Sequence, residues 1–158
     1  MVQGREVRYR IRHQLYAIAW LINIAALGAW LAVMALDSEP PYVYDGVHSV
    51  IIPDPAPQGA MVTVDWHILK ISRICPGQIQ RFFTNKDTAE IVATLDTTEV
   101  SRAVRPGDQH LVRAFVLPPN LPPNVGYFAE VRFQCNILQH LFPLRVLTPE
   151  LTFHVRQN

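Results

Sequence analysis

The sequence predicts an all-β domain, an immunoglobulin-like β-sandwich of about six or seven strands, behind a single N-terminal transmembrane helix. Three observations carry this. A long apolar run lies near the N-terminus, every proline falls beyond residue 39, and apolar and polar residues alternate with period two from Ala60 onward. Proline disrupts a helix interior but is tolerated at strand ends and in turns, so the two parts of the chain follow different rules. At 158 residues there is room for one span and one domain, not for two separate cores.

From Leu15 to Leu36 the chain reads LYAIAWLINIAALGAWLAVMAL, with Asn23 as its only strongly polar side chain. About 22 residues at 1.5 Å each reach roughly 33 Å, enough for a hydrocarbon core of about 30 Å. A buried helix of a soluble domain would be shorter and amphipathic, and the remaining sequence predicts no helices to cover this one. Val33 and Ala35 resemble the small residues before a signal cleavage site. The apolar part of a cleaved signal runs only about 7–15 residues, however, so an anchor is expected.

Arg5, Arg8, Arg10 and Arg12 precede the run, opposed only by Glu6, while Asp37, Glu39 and Asp45 follow it. The positive-inside rule then expects residues 1–14 in the cytoplasm, residues 15–36 in the bilayer and the domain on the far side. Tyr16 and Trp30 are amphipathic rings suited to the two interfaces. Ala25, Gly28, Ala29 and Ala32 fall at helical spacing on one face. Such a seam lets helix backbones approach closely in lipid, and ordinary span composition is the alternative reading.

Residues 37–59 carry Pro40, Pro41, Pro53, Pro55 and Pro57 and read as a stiff, extended linker, with an edge strand conceivable from Tyr42 to Ile52. The domain proper is expected over residues 60–158. Val62, Val64, Trp66 and Ile68 share one face of a strand, while Thr63, Asp65 and His67 share the other. Val125, Tyr127, Ala129, Val131, Phe133 and Cys135 alternate likewise, as do Leu151, Phe153 and Val155. Shorter apolar runs at Ile79–Phe83, Ile91–Leu95 and Leu111–Leu117 complete the strands. Pro76-Gly77, Thr84-Asn85, Pro106-Gly107, Pro118-Pro119-Asn120 and Pro122-Pro123-Asn124 mark turns between them. A small barrel is the alternative architecture.

Cys75 and Cys135 are the only cysteines, both near predicted strand ends. In an oxidising compartment a disulfide is the default, with buried free thiols as the alternative. No histidine stands at ligand-like spacing from either, so no metal site is expected.

No catalytic pattern emerges. The six histidines are scattered, Cys135 with His140 makes a poor nucleophile and base, and a disulfide would remove the thiol. The chain has neither a phosphate-binding glycine loop nor a GxSxG elbow. Net charge is +1, and the basic arm has no aromatic interleaving beyond Tyr9, so nucleic acid is not an expected partner. No cofactor is expected. The block LPPNLPP holds Pro118, Pro119, Asn120, Pro122 and Pro123, whose two Pro-Pro pairs cannot join a central ladder. It reads as a stiff contact loop or as a plain bridge between sheets.

Trp66-His67, the turn Cys75-Pro76-Gly77 followed by Arg81-Phe82, and the Leu117-Pro118-Pro119 block form a pattern with Tyr127, Phe133, Cys135-Asn136, Phe142-Pro143 and Thr148-Pro149. Over roughly the last hundred residues this resembles a family of uncharacterised single-pass membrane proteins of bacteriophages and prophages. The resemblance implies a viral or prophage origin and an anchor in the bacterial inner membrane, and it implies no activity.

The expected role is therefore a non-enzymatic, membrane-anchored accessory or assembly subunit. It would contact other protein subunits through its helix and outer domain, self-association included. Its expected address is the bacterial inner membrane with the domain in the periplasm. The alternatives are a structural component of a virion or membrane complex, and a phage-exclusion or envelope-modifying factor that binds a host surface protein.

Overall fold

A computed structural model describes residues 3–100 and 109–157, with side chains from residue 13 onward. The expected turn at Pro106-Gly107 lies outside the described residues. The chain forms two compact units, residues 1–38 and 39–158.

The first unit is one helix, α1, Gln3–Leu36. Its segment His13–Leu36 is long and apolar enough to cross a membrane, and none of it is buried. Asn23, the one strongly polar side chain between Leu15 and Leu36, is paired within the helix, its Nδ2 donating to Ala19 O at 2.7 Å. That bond lowers the cost of an amide at membrane depth, where an unpaired polar group is expensive.

The second unit is mostly β. Its strands are β1 (Tyr42–Ile52), β2 (Ala56–Pro57), β3 (Met61–Ile71), β4 (Gly77–Asn85), β5 (Ile91–Glu99), β6 (His110–Val116), β7 (Asn124–Phe133), β8 (Leu144–Leu147) and β9 (Leu151–Arg156). One sheet has the order β1-β3-β6. The other has the order β2-β9-β7-β4-β5, with β8 also on β7. Every pairing is antiparallel except β2 on β9. Strands β9 and β8 occupy successive halves of the same side of β7. Thr148-Pro149-Glu150 breaks the strand between them.

The alternating residues do what the period predicts. Val62, Val64 and Trp66 from the first sheet meet Phe83, Val125, Tyr127 and Phe153 from the second in one apolar core. A second cluster joins Tyr42, Ile68, Val131 and Phe133 around Cys75, and Tyr44 and Leu111 touch both clusters. Trp66 is 2 % exposed and fills the space between Tyr44 and Tyr127, with ring centroids 5.4 and 6.0 Å away. An aromatic of that size dominates the local burial.

Residues 37–59 are more than an extended linker, and the edge strand conceivable from Tyr42 to Ile52 is β1. They hold β1 and β2, and Tyr42, Ile51 and Ala56 are buried. Their entry is tied down by Glu39, which accepts from Lys70 Nζ at 2.7 Å and from Ser72 Oγ at 2.9 Å. The prolines sit where they do least harm: two before β1, two in the crossover to β2, and Pro57 in a two-residue strand on the sheet's rim. Ile52-Pro53 and Asp54-Pro55 are cis. The short strand β8 and the 3₁₀ turn Leu138–His140 are further elements the periodicity did not mark out.

Gly126 lets the break in the β8–β9 line close. A Cβ at this buried position would collide with Glu150 Oε1 and Thr84 Oγ1. In its absence Thr84 Oγ1 donates to Glu150 Oε1 at 2.6 Å and Lys86 Nζ to Oε2 at 2.8 Å. Lys86 first, and Thr84 second, hold the Glu150 carboxyl below its ordinary 4.5. A carboxylate whose folded pKa is depressed stabilises fully above its unfolded value, and the effect is lost as pH falls through the folded value. The melting temperature of Glu150→Gln should therefore fall below wild type at pH 7, and the gap should close as pH drops to about 2. Thermal melts across pH check this, and a gap independent of pH counts against the ion pair.

Candidate functional site

Three adjacent strands and one irregularity assemble the densest group of chemistry-bearing side chains among the described residues. On the outward face of the first sheet, Asp45 of β1 is paired with His67 of β3, and His67 with His110 of β6. The next row is Val50, Asp65 and Val112. Between Asp45 and Val50 the β1 strand places four residues, Gly46 to Ser49, against Trp66 alone, three more than a regular ladder holds. Such a bulge re-aims side chains, and here it folds His48 back toward Asp45.

The bulge is held from inside. Val47 N donates to Asp45 Oδ1 at 2.9 Å, which closes a turn around the carboxylate. Ser49 is buried; its Oγ donates to Asp45 O at 2.5 Å and accepts from His67 N at 2.9 Å. One hydroxyl thus ties the backbones of both strands. Gly46 packs against Pro149, where a Cβ would stand 2.6 Å from the proline's own Cβ.

Within this frame His48 Nδ1 lies 2.5 Å from Asp45 Oδ2, and His67 Nδ1 lies 3.6 Å from the same oxygen. His48 first, and the Val47 amide next, hold the Asp45 carboxyl below the usual carboxylate range. The His67 ring is 5.5 Å from that of His48 and 5.3 Å from that of His110. His110 Nδ1 lies 3.0 Å from Asp65 Oδ1. The sequence reading placed His67 and Asp65 on one outward face but left His48 in a linker, so the group was not assembled. The signal available was Asp45 and His48 three residues apart in an otherwise apolar stretch.

The residues singled out from sequence fall elsewhere. Ala25, Gly28, Ala29 and Ala32 lie on α1, exposed, with no atom within 4 Å of a Cβ built on Gly28. Arg5, Arg8, Arg10 and Arg12 lie in the first turns of α1, and their side chains are outside the described residues. The proline block joins β6 to β7. Leu117 and Leu121 are buried in the core, while Pro119, Asn120 and Pro123 are exposed. Gln58 clasps the block, Nε2 donating to Leu121 O at 2.7 Å and Oε1 accepting from Leu121 N at 3.2 Å.

Cys75 and Cys135 are joined, with Cα atoms 4.9 Å apart. They continue the β4–β7 register past its last pair, Gly77 with Phe133, and Gln134 N donates to Pro76 O between them. The bridge therefore clips one end of a sheet rather than crossing between sheets. It also removes the only thiols from the chemistry available near His140.

No protein-family model matches the chain, and comparison with curated proteins finds no match.

The bridge closes a sequence separation of 60. Replacing both cysteines by alanine should cost about 2–4 kcal/mol of unfolding free energy. Denaturant melts of the variant, and of wild type with reductant, should give matching losses. A loss under about 0.5 kcal/mol would mean that the ladder holds this end unaided.

Proposed function

We propose that this protein is a non-enzymatic, membrane-anchored subunit of viral or prophage origin that works by holding protein partners through an immunoglobulin-like β-sandwich. The carrying observation is the outward face of the β1-β3-β6 sheet. Val50, Ile52, Met61, Val112 and Val116 are exposed there, in neighbouring rows of the ladder. Scattered exposed apolar side chains are ordinary, but a contiguous patch on a sheet face is the mark of a contact surface.

The immunoglobulin-like reading is supported by strand order. A first strand that leaves one sheet for the rim of the other, and the sequence β9-β7-β4-β5, match the order of that class. The chain departs from it in carrying its buried tryptophan on β3 and its disulfide within one sheet. The anchor rests on the exposed apolar helix, and the orientation on the four arginines before it and the acids after it. A periplasmic domain agrees with a disulfide. The small-residue seam is read as a packing surface for other spans or a second copy of the chain.

Three measurements test this. A reporter active only outside the cytoplasm, fused after Asn158, should be active, and a silent one overturns the orientation. Val112→Lys and Met61→Lys should reduce co-purification of partners in mild detergent by about tenfold, the effect of about 1.4 kcal/mol. Unchanged recovery removes the sheet face from the interface. Gly28→Leu should weaken association through the span by about 1–2 kcal/mol while leaving insertion intact, with Leu31→Val as the control. A Cβ on Gly28 finds open space beside the helix, so a loss in a membrane two-hybrid assay with insertion intact reads contacts made through the span.

A further inference from the structure

We infer that Asp45, His48 and His67 form a binding site for one divalent transition-metal ion of the zinc class. One donor atom from each residue lies within 4.8 Å of the other two. Two donors held at about 2.1 Å from a tetrahedral ion stand roughly 3.4 Å apart. His67 Nδ1 and Asp45 Oδ2, at 3.6 Å, already have that separation. His48 Nδ1, at 2.5 Å from Asp45 Oδ2, must draw back by about 1 Å. Its side chain is 70 % exposed and free to do so.

A second, independent observation comes from His67. Its Nδ1 is buried and makes no hydrogen bond, although it faces the Asp45 carboxylate. A buried ring nitrogen without a hydrogen bond is unfavourable, and an ion between it and the carboxylate resolves that deficit.

The frame around the donors is built before any ion arrives. Ser49 Oγ links the Asp45 carbonyl to the His67 amide, the Val47 amide fixes the carboxylate, and the bulge is seated on Pro149. Metal sites depend on such supporting contacts to orient their ligands. Two imidazoles and one carboxylate suit zinc, nickel, copper or cobalt rather than calcium or magnesium, which favour all-oxygen sets. Three protein ligands leave a coordination position open on the outward face, available to water or to a side chain of another protein.

The test uses the full-length chain in detergent, purified without a histidine tag and stripped with chelator. Zinc titrated by calorimetry should bind one ion per chain with a Kd of about 10 μM or tighter. Cobalt should give the visible absorption of a site with nitrogen ligands. His48→Ala, on an exposed side chain, and His67→Ala should each weaken zinc by at least about tenfold. His154→Ala, on the other sheet, should leave the affinity unchanged. Far-ultraviolet circular dichroism confirms that each variant is folded. No saturable binding to wild type at about 100 μM zinc overturns the site. Wild-type affinity in both His48→Ala and His67→Ala overturns it equally.

Discussion

The β domain hangs on the two-sided pairing of β7. One side of this strand is matched along its whole length by β4, the other by β9 and then β8. Its inward residues Val125, Tyr127, Ala129, Val131 and Phe133 are all buried. A slip of one residue would turn each of them outward, so the register is fixed by burial as well as by hydrogen bonds. From that register follow the meeting of Cys75 with Cys135 and the opening at Gly126 that admits Glu150. The inward course of Ile79 and Phe83 on β4 follows as well.

Where a strand has one buried face and no interruption, the sequence announces it. The alternations in β3, β7 and β9 each correspond to a strand whose apolar set lies in the core, and the apolar helix runs through the expected span. What stayed hidden has a common cause, local irregularity. Strand β1 is conceivable from the sequence as an edge strand over Tyr42 to Ile52, but its bulge at Gly46-Val47-His48-Ser49 is not, because the extra residues shift the phase of its alternation. Strand β8 is only four residues long, too few for a period to be read.

The site shared this fate. His67 was visible as an outward residue of a regular strand, and Asp65 with it. His48 reaches Asp45 and His67 only because the bulge folds back, and no periodicity encodes that geometry. The cysteine pair was legible because two cysteines allow one intramolecular pairing. That it lies along β4 and β7 depends on register, which spacing does not reveal.

The lateral borders of the two sheets are unlike. On one flank the rims are β1, kinked by its inserted residues, and β2, two residues long and ending in a proline that has no amide to offer. Both are poor templates for a foreign strand. The opposite flank ends in β5, whose ladder with β4 is broken by two register shifts, and in β6, seven residues paired with β3 without a break. Growth of a ribbon by strand addition needs an accepting border at each end of every molecule, and among the described residues the uninterrupted rim is that of β6. A strand added at the β6 rim alone joins two copies and does not propagate into a continuous fibre.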